Sequence, residues 1–132
     1  MSSNARNVAA GRELVVVGLS HHTAPVAVRE RLAAACADAP AFLRGLGGLP
    51  GVHEVVLVST CNRVEVTACC SPGTGPAEGI AAFVADAGGI EAGQRDALVF
   101  LLRGRDAVRH VFRVASSLDS MVVGEPPLKL KA

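Results

Sequence analysis

Apolar and polar positions along this chain predict short strands alternating with helices. Three runs rich in β-branched residues, 13–18, 52–59 and 64–70, are expected to be strands, the first of them buried. A fourth strand is predicted at residues 97–102 (ALVFLL). Because these strands are short and irregularly interleaved with helices, the sequence predicts an α+β fold, in which helices pack on a small, mostly antiparallel sheet of about four strands.

Helices are predicted by start signals and by the 3.6-residue period of apolar positions. Pro25 suits the first turn of one helix, with Thr23 as a candidate cap, and Cys36 on its apolar face is expected to be a small core residue. Two further helices are expected, at residues 39–46 and 77–87. The clearest helix, 106–118, carries an apolar stripe of the kind that faces a core: Val108, Val111, Phe112, Ala115 and Leu118.

Composition narrows the classes of protein to which the chain can belong. With 132 residues, 50% of them hydrophobic and 19% charged, it has the length and composition of one globular domain. A net charge of +1 gives no general attraction for phosphate backbones, and without Trp or Tyr there is no aromatic platform on which bases could stack. Any contact with nucleic acid is therefore expected to come from a local patch.

The chain shows no signal for export or for insertion into a membrane. No apolar run approaches the roughly 18–20 residues that span a bilayer. The polar start lacks the apolar stretch of a secretory signal, so residues 1–12 are expected to be a disordered leader. Four cysteines in such a chain are expected to be thiols in a reducing compartment. We therefore expect a soluble, cytoplasmic protein without membrane partners.

Cys61 is the first candidate for chemistry. A cysteine thiol is mostly protonated at neutral pH and needs a nearby positive charge to become a good nucleophile. Arg63 would share a face with Cys61 if the backbone were extended there, and Glu65 on the same face would oppose its effect unless it paired with Arg63. A thioester accepts hydride more readily than an oxygen ester, so sulfur suits an acyl group that awaits reduction. The alternative is that Cys61 is a small residue closing a strand.

His110 is the second candidate, because it falls between the apolar stripe of its helix and the exposed Arg109 and Arg113. A histidine at such a boundary can transfer protons near neutral pH, or it can cap the edge of a core. The run of arginines from 103 to 113 is either a solvated helix face or a phosphate contact.

Metal and dinucleotide sites are weakly supported. His21 and His22 are adjacent, but no C-x-x-C or H-x-x-x-H spacing occurs, so no metal is expected. Residues 45–51 (GLGGLPG) nearly spell a dinucleotide-binding loop, yet they place Pro50 where glycine is required and follow a predicted helix rather than a strand. The sequence therefore predicts no cofactor-binding residues in this chain.

Three blocks resemble the N-terminal catalytic domain of glutamyl-tRNA reductase, in the same order and with similar separations. They are residues 17–26 (VGLSHHTAPV), 59–66 (STCNRVEV) and 107–126 (AVRHVFRVASSLDSMVVGEP). The resemblance covers nearly the whole chain after the leader, which implies a domain over residues 13–126. Two departures follow it: Pro127 and Lys131 stand where the family has glutamines, so residues 127–132 are expected to be an atypical tail at the position of a connecting helix.

The resemblance implies an activity and a set of site residues. In the family, a cysteine attacks the ester of glutamyl-tRNA and holds glutamate as a thioester, which NADPH reduces to glutamate-1-semialdehyde for tetrapyrrole (porphyrin) synthesis. By resemblance Cys61 is the nucleophile and His110 is important for activity. The residues expected to bind the glutamyl substrate are Thr60, Asn62, Arg63, Ser120, Glu125 and Pro126.

The family's other parts are expected to lie outside this chain. The resemblance implies an NADPH-binding domain and a C-terminal domain through which the full-length protein forms a homodimer. Without them the chain is expected to form the thioester but not to complete the reduction. Two alternatives stay open: a binding or regulatory module that keeps the fold without catalysis, and a thiol or metal sensor that uses His21, His22 and Cys61.

Overall fold

A computed structural model describes residues 11–120 and 129–131, with side chains for residues 11–117. Its five strands form one antiparallel sheet: β1 Glu13–Ser20, β2 Val52–Ser59, β3 Arg63–Cys70, β4 Phe100–Arg103 and β5 Lys129–Lys131. Their order across the sheet is β4-β1-β3-β2-β5. The helices are α1 Val26–Ala35, α2 Ala39–Gly47, α3 Thr74–Ala87, α4 Arg95–Leu98 and α5 Gly104–Ser120. The predicted α+β class and antiparallel sheet are confirmed, with the short β5 added at one edge.

Two local predictions are wrong. Residues 97 and 98 belong to α4, which follows a 3-10 turn at Ala92–Gln94, so the strand starts three residues later than predicted. Thr23 does not cap α1, because Pro25 is the N-cap residue and no side chain caps it. The hydroxyl of Thr23 instead bonds the backbone of Ser20, a local turn that competes with capping. The predicted leader and tail lie largely outside the described residues.

One face of the sheet is covered by α1, α2 and α3. Alternate residues of β1 point into this layer and are fully buried, as the period of two requires: Val15, Val17 and Leu19. They pack with the inward residues of β3 and with apolar side chains of the three helices, among them Leu32, Leu46 and Ile80. Cys36 is buried in the same cluster, which confirms its predicted place in the core.

Helix α5 covers the opposite face above β1 and β4. Ala107 and Val114 are its buried apolar residues, whereas Val108 is 42% exposed and Phe112 is 70% exposed. The expected orientation of the apolar stripe is therefore wrong. The helix turns His110 toward the sheet, where it meets the buried carboxylate of Glu65. A buried carboxylate is stabilised by hydrogen-bonded partners, and this face of α5 supplies one of them.

No helix in the described part of the chain is both long and apolar enough to cross a membrane.

Gly18 allows the close approach of β1 and β3, and its replacement by alanine is expected to destabilise the fold. Gly18 pairs with Glu65, and an added Cβ would collide with the carbonyl oxygen of Val64 and lie 2.6 Å from the Cα of Glu65. These are backbone atoms that cannot rotate away, so Gly18→Ala should cost about 1–3 kcal/mol of unfolding free energy, measured by urea denaturation. Gly79→Ala is the control, since its Cβ would meet nothing within 4 Å in α3. Equal stability of the two variants would contradict the assignment.

Candidate active site

Cys61 lies at the tip of the hairpin that joins β2 and β3. The backbone N–H of Thr60 donates to the carbonyl of Arg63 (2.8 Å), which leaves Cys61 and Asn62 as a two-residue loop. The hydroxyl of Thr60 accepts from the N–H of Asn62 (3.2 Å) and stiffens the turn. Cys61 is exposed and lies in neither strand. It therefore does not close a strand, and the extended backbone that would align it with Arg63 is not present.

Two contacts tie this turn to the rest of the domain. Arg29 of α1 donates through Nη1 to the carbonyl oxygen of Cys61 (2.9 Å) and through Nε to the carbonyl oxygen of Ala24 (3.1 Å). The N–H of His21 donates to the carbonyl of Asn62 (2.9 Å). The backbone that carries Cys61 is thus held from both sides. The sequence offered no signal for Arg29, because its partner lies 32 residues away.

The loop after β1 presents two histidines beside the turn. Ser20 and Thr23 exchange hydrogen bonds that close this loop, and the hydroxyl of Ser20 accepts from the N–H of His22 (3.2 Å). The rings of His21 and His22 lie 3.9 Å apart and are exposed. Over the described residues, no group of three or more His, Cys, Asp or Glu side chains could hold a metal ion.

Glu65 contacts two of the side chains predicted for the site, those of Arg63 and His110. It is 2% exposed, and one of its oxygens accepts from Nη1 of Arg63 at 3.1 Å. Both of its oxygens lie 3.1 Å from Nε2 of His110, which is 14% exposed. The ring of Phe100 packs against His110 with centroids 5.3 Å apart. Glu65 therefore pairs with Arg63, as the sequence left open, and also with His110 from the opposite element.

Arg63, His110 and Phe100 line a cleft of about 510 Å³. Its lining is rich in basic side chains and includes no acidic residue of the described part: Ser20, His21, His22, Thr23, Asn62, Arg63, Phe100, Leu102, His110, Arg113, Val114 and Ser117. Cys61 adjoins the cleft through its neighbour Asn62. Of the predicted residues, Asn62, Arg63 and His110 meet here. Thr60 lies in the adjoining turn, while the side chain of Ser120 and the residues Glu125 and Pro126 lie outside the described part.

The predicted arginine run does not form one surface. Arg103 pairs with Glu13 on the neighbouring strand (3.0 Å), and Arg109 lies 3.8 Å from Asp106 on its own helix. Arg113 is the member of the run that lines the cleft, and it forms no ion pair with a described residue. An anion that entered the cleft would therefore find Arg113 available.

The other cysteines differ from Cys61 in exposure. All four lie in the described part and none forms a disulfide. Cys36 and Cys70 are buried and Cys69 is partly exposed. Burial, together with the neighbouring Cys69 and Glu13, raises the pKa of the Cys70 thiol to about 11, so this thiol stays protonated at neutral pH. Cys61 is the exposed thiol of the four.

The described residues do not fit a dinucleotide cofactor. Such a site needs a glycine-rich turn that leads from a strand into a helix. Residues 45–51 run the opposite way, from the end of α2 into β2. The strands of the described sheet also pair antiparallel rather than parallel.

Taken together, these features define a class: an α+β domain that exposes one thiol in a hairpin turn, next to a cleft lined by two arginines and three histidines. The chain belongs to the glutamyl-tRNA reductase family, since the family model described as "Glutamyl-tRNAGlu reductase, N-terminal domain" matches residues 17–128. This confirms the resemblance carried by the three sequence blocks.

Two curated relatives agree with this assignment. The chain is 46% identical over 114 residues to glutamyl-tRNA reductase of Syntrophotalea carbinolica, covering 86% of this chain and 26% of the relative. It is 48% identical over 115 residues to that of Geobacter metallireducens, covering 87% and 26%. Among solved structures, glutamyl-tRNA reductase from Methanopyrus kandleri matches with 36% identity and a TM-score of 0.49, over 85% of this chain and 24% of that one. The chain spans about a quarter of the length of these relatives.

Proposed function

We propose that this domain takes the glutamyl group from glutamyl-tRNA onto the sulfur of Cys61. The thiolate attacks the carbonyl carbon of the ester, a C–S bond forms, and the C–O bond to the terminal ribose breaks. The ribose oxygen takes up a proton as tRNA leaves, and glutamate stays on the protein as a thioester. The single observation that carries this proposal is the exposed Cys61 in a hairpin turn that Arg29 holds beside the cleft.

His110 and Arg63 take different roles in this proposal. His110 is the proton-transfer group, because it lines the cleft and an imidazole nitrogen can accept or donate a proton. Nη1 of Arg63 donates a hydrogen bond to Glu65. The other N–H donors of Arg63 would bind a carboxylate of the glutamyl group, because the planar guanidinium matches the geometry of a carboxylate. Thr60 and Asn62 would contact the substrate from the turn. Ser120, Glu125 and Pro126 are proposed as binding residues on family resemblance alone.

The tRNA partner would be held locally rather than over a broad surface. The net charge of +1 supplies no general attraction, but Arg113, His21 and His22 bring positive or protonatable groups to the same cleft. We therefore propose that the domain binds the acceptor end of the tRNA, which carries the glutamyl ester, and that phosphates of this end lie near these three side chains.

The later steps of the family reaction are proposed only for the whole protein, in the cytoplasm. There NADPH would supply the hydride that converts the thioester to glutamate-1-semialdehyde, the entry to tetrapyrrole synthesis. Since the described residues do not fit a dinucleotide, NADPH would be held by another domain of the whole protein. The homodimer implied by the family would likewise form through another domain.

Acylation can be tested directly with glutamyl-tRNA labelled in the glutamate. The purified chain is expected to retain label that hydroxylamine releases, as a thioester should. Proteolysis and mass spectrometry should place the label on the peptide that contains Cys61 and not on those with Cys36, Cys69 or Cys70. A chain that binds glutamyl-tRNA but acquires no label would contradict the proposal and favour a binding module without catalysis.

A further inference from the structure

An apolar groove of about 280 Å³ lies on the outward face of the sheet, on the side of α5 away from the cleft. Helix α5 lies above β1 and β4 and forms one wall of the groove, and the outward residues of β2 and β3 form its floor. The polar groups that line it are Thr67 and Glu65, and the Glu65 carboxylate already bonds Arg63 and His110. An apolar side chain therefore fits this groove better than a polar one. The apolar lining consists of Val56, Val58, Val111, Val114 and Ala115.

A large apolar side chain is exposed on the rim of this groove. Phe112 is 70% exposed, and Val108, one turn before it, is 42% exposed. Both share a flank of α5 with Val111 and Ala115 of the groove, because positions i, i+3, i+4 and i+7 fall on one side of a helix. Val56, across the groove on β2, is 37% exposed. The rim and the groove thus form one continuous apolar surface, of the kind that marks an interaction site.

The shape of this surface is complementary to a second copy of itself. In a two-fold symmetric dimer the same patch of both copies meets, so each contact between two residues occurs twice. A dry cavity of about 150 Å³ can hold benzene. The groove, at about 280 Å³, is therefore large enough for the phenyl ring of Phe112 from a second copy. Because this ring and the groove lie side by side, a two-fold axis parallel to β2 places α5 of each copy over the groove of the other.

The starts of α5 and β2 lie at the same end of the sheet. Helix α5 follows directly after Arg103, which pairs with Val15 of β1. The preceding residue, Leu14, pairs with Cys69 of β3, and Cys69 pairs in turn with Glu54 of β2. A two-fold axis parallel to β2 keeps this end of one copy against the same end of the other. The first turn of α5 in one copy therefore lies over the start of β2 in the other.

Two opposite charges lie where this arrangement needs them. Arg105 shares the flank of α5 that carries Phe112, seven residues on, and Glu54 shares the outward face of β2 with Val56. Arg105 and Glu54 are exposed, and neither forms an ion pair with a described residue. The same two-fold axis brings Arg105 of each copy to Glu54 of the other. Charge and shape thus favour a second copy of this chain as the occupant of the groove.

We propose that two copies of this chain associate through this surface, with Phe112 of each copy in the groove of the other and Arg105 of each paired with Glu54 of the other. His110, Arg113 and Ser117 line the cleft on the opposite flank of α5, so the cleft stays open in the dimer. The interface is therefore independent of the proposed glutamyl transfer. It is also separate from the homodimer that the family implies, which would form through another domain.

Sedimentation equilibrium of the 132-residue chain tests the association without any substrate. A monomer–dimer equilibrium is expected, with a Kd of about 1–100 µM, which is typical of a small interface. Phe112→Ser should raise this Kd by about 10-fold to 100-fold, because a buried aromatic anchor carries much of the binding energy of an interface. A chain that stays monomeric at about 1 mM would overturn the proposal. A Phe112→Ser chain that dimerises as tightly as the wild type would do the same.

Val26→Ser is the matched control for Phe112→Ser. Val26 is also an exposed apolar residue, at 57%, but it begins α1 on the other face of the sheet. Its replacement should leave the Kd of the dimer unchanged. If Val26→Ser weakened the dimer as much as Phe112→Ser, the interface would not lie on the α5 face.

An exchange of charges tests how the two copies are arranged. Arg105→Glu and Glu54→Arg should each raise the Kd by about 3-fold to 10-fold, because each places like charges opposite one another twice in the dimer. The chain that carries both substitutions re-forms the pairs with their signs reversed, so its Kd should return to within about 3-fold of the wild type. Both side chains are exposed, so the circular dichroism spectra of these variants should match that of the wild type. A double variant that dimerises no better than the two single variants would overturn the pairing of Arg105 with Glu54.

Discussion

Cys61→Ser is expected to reduce the rate at which glutamyl-tRNA labels the protein by about 10³-fold or more, to the level of a protein that does not react with glutamyl-tRNA. A serine hydroxyl is almost wholly protonated at neutral pH and is a far weaker nucleophile than a thiol with even a small thiolate fraction. The turn should survive the change, because its hydrogen bonds run through the backbone of residues 60–63 and the hydroxyl of Thr60. The measurement is the rate at which labelled glutamate accumulates on the protein.

Cys69→Ser supplies the control for Cys61→Ser. Cys69 is the partly exposed thiol on β3, away from the hairpin turn, and its loss should leave labelling unchanged. Unfolding curves for both variants should overlay that of the wild type, since neither side chain is in the core. Labelling of the Cys61→Ser chain at the wild-type rate would remove the nucleophile from the proposed function.

Local sequence patterns predicted most of the sheet. The strand predicted at 52–59 matches β2, and the strand predicted at 64–70 lacks only Arg63 of β3. Runs of β-branched residues suffice here because strand preference is expressed over a few consecutive positions. The error at residues 97 and 98 has the same origin, since a short apolar run does not distinguish a helical turn from a strand.

Contacts between distant elements could not be predicted in this way. Glu65 and His110 are 45 residues apart, and their pairing depends on α5 crossing the sheet above β1. The apolar period of α5 pointed to a face that includes Phe112, yet the helix packs through the face that carries His110. The period records where apolar side chains lie but carries no information on the buried charge that the helix must meet.

Arg29→Met is expected to slow thioester formation by about 10-fold to 100-fold, with only about 1 kcal/mol lost in stability. Methionine keeps much of the stem of arginine but cannot donate to the carbonyl oxygens of Ala24 and Cys61. The hairpin turn would lose one of its two ties to the domain, and Cys61 would spend less time in position beside the cleft. Misplacement of a reacting group by about 1 Å can cost about 100-fold in rate, which sets the upper figure.

Arg31→Met distinguishes this positional effect from a general loss of stability. Arg31 also lies on α1 and also donates through Nε to a backbone carbonyl, that of Gly88 at 3.1 Å, but it does not reach the Cys61 turn. The two variants should therefore lose similar stability in urea denaturation, while Arg31→Met acylates at the wild-type rate. If both variants slowed acylation equally, the effect would belong to α1 as a whole. The hydrogen bond from Arg29 to Cys61 would then have no separate part in holding the thiol.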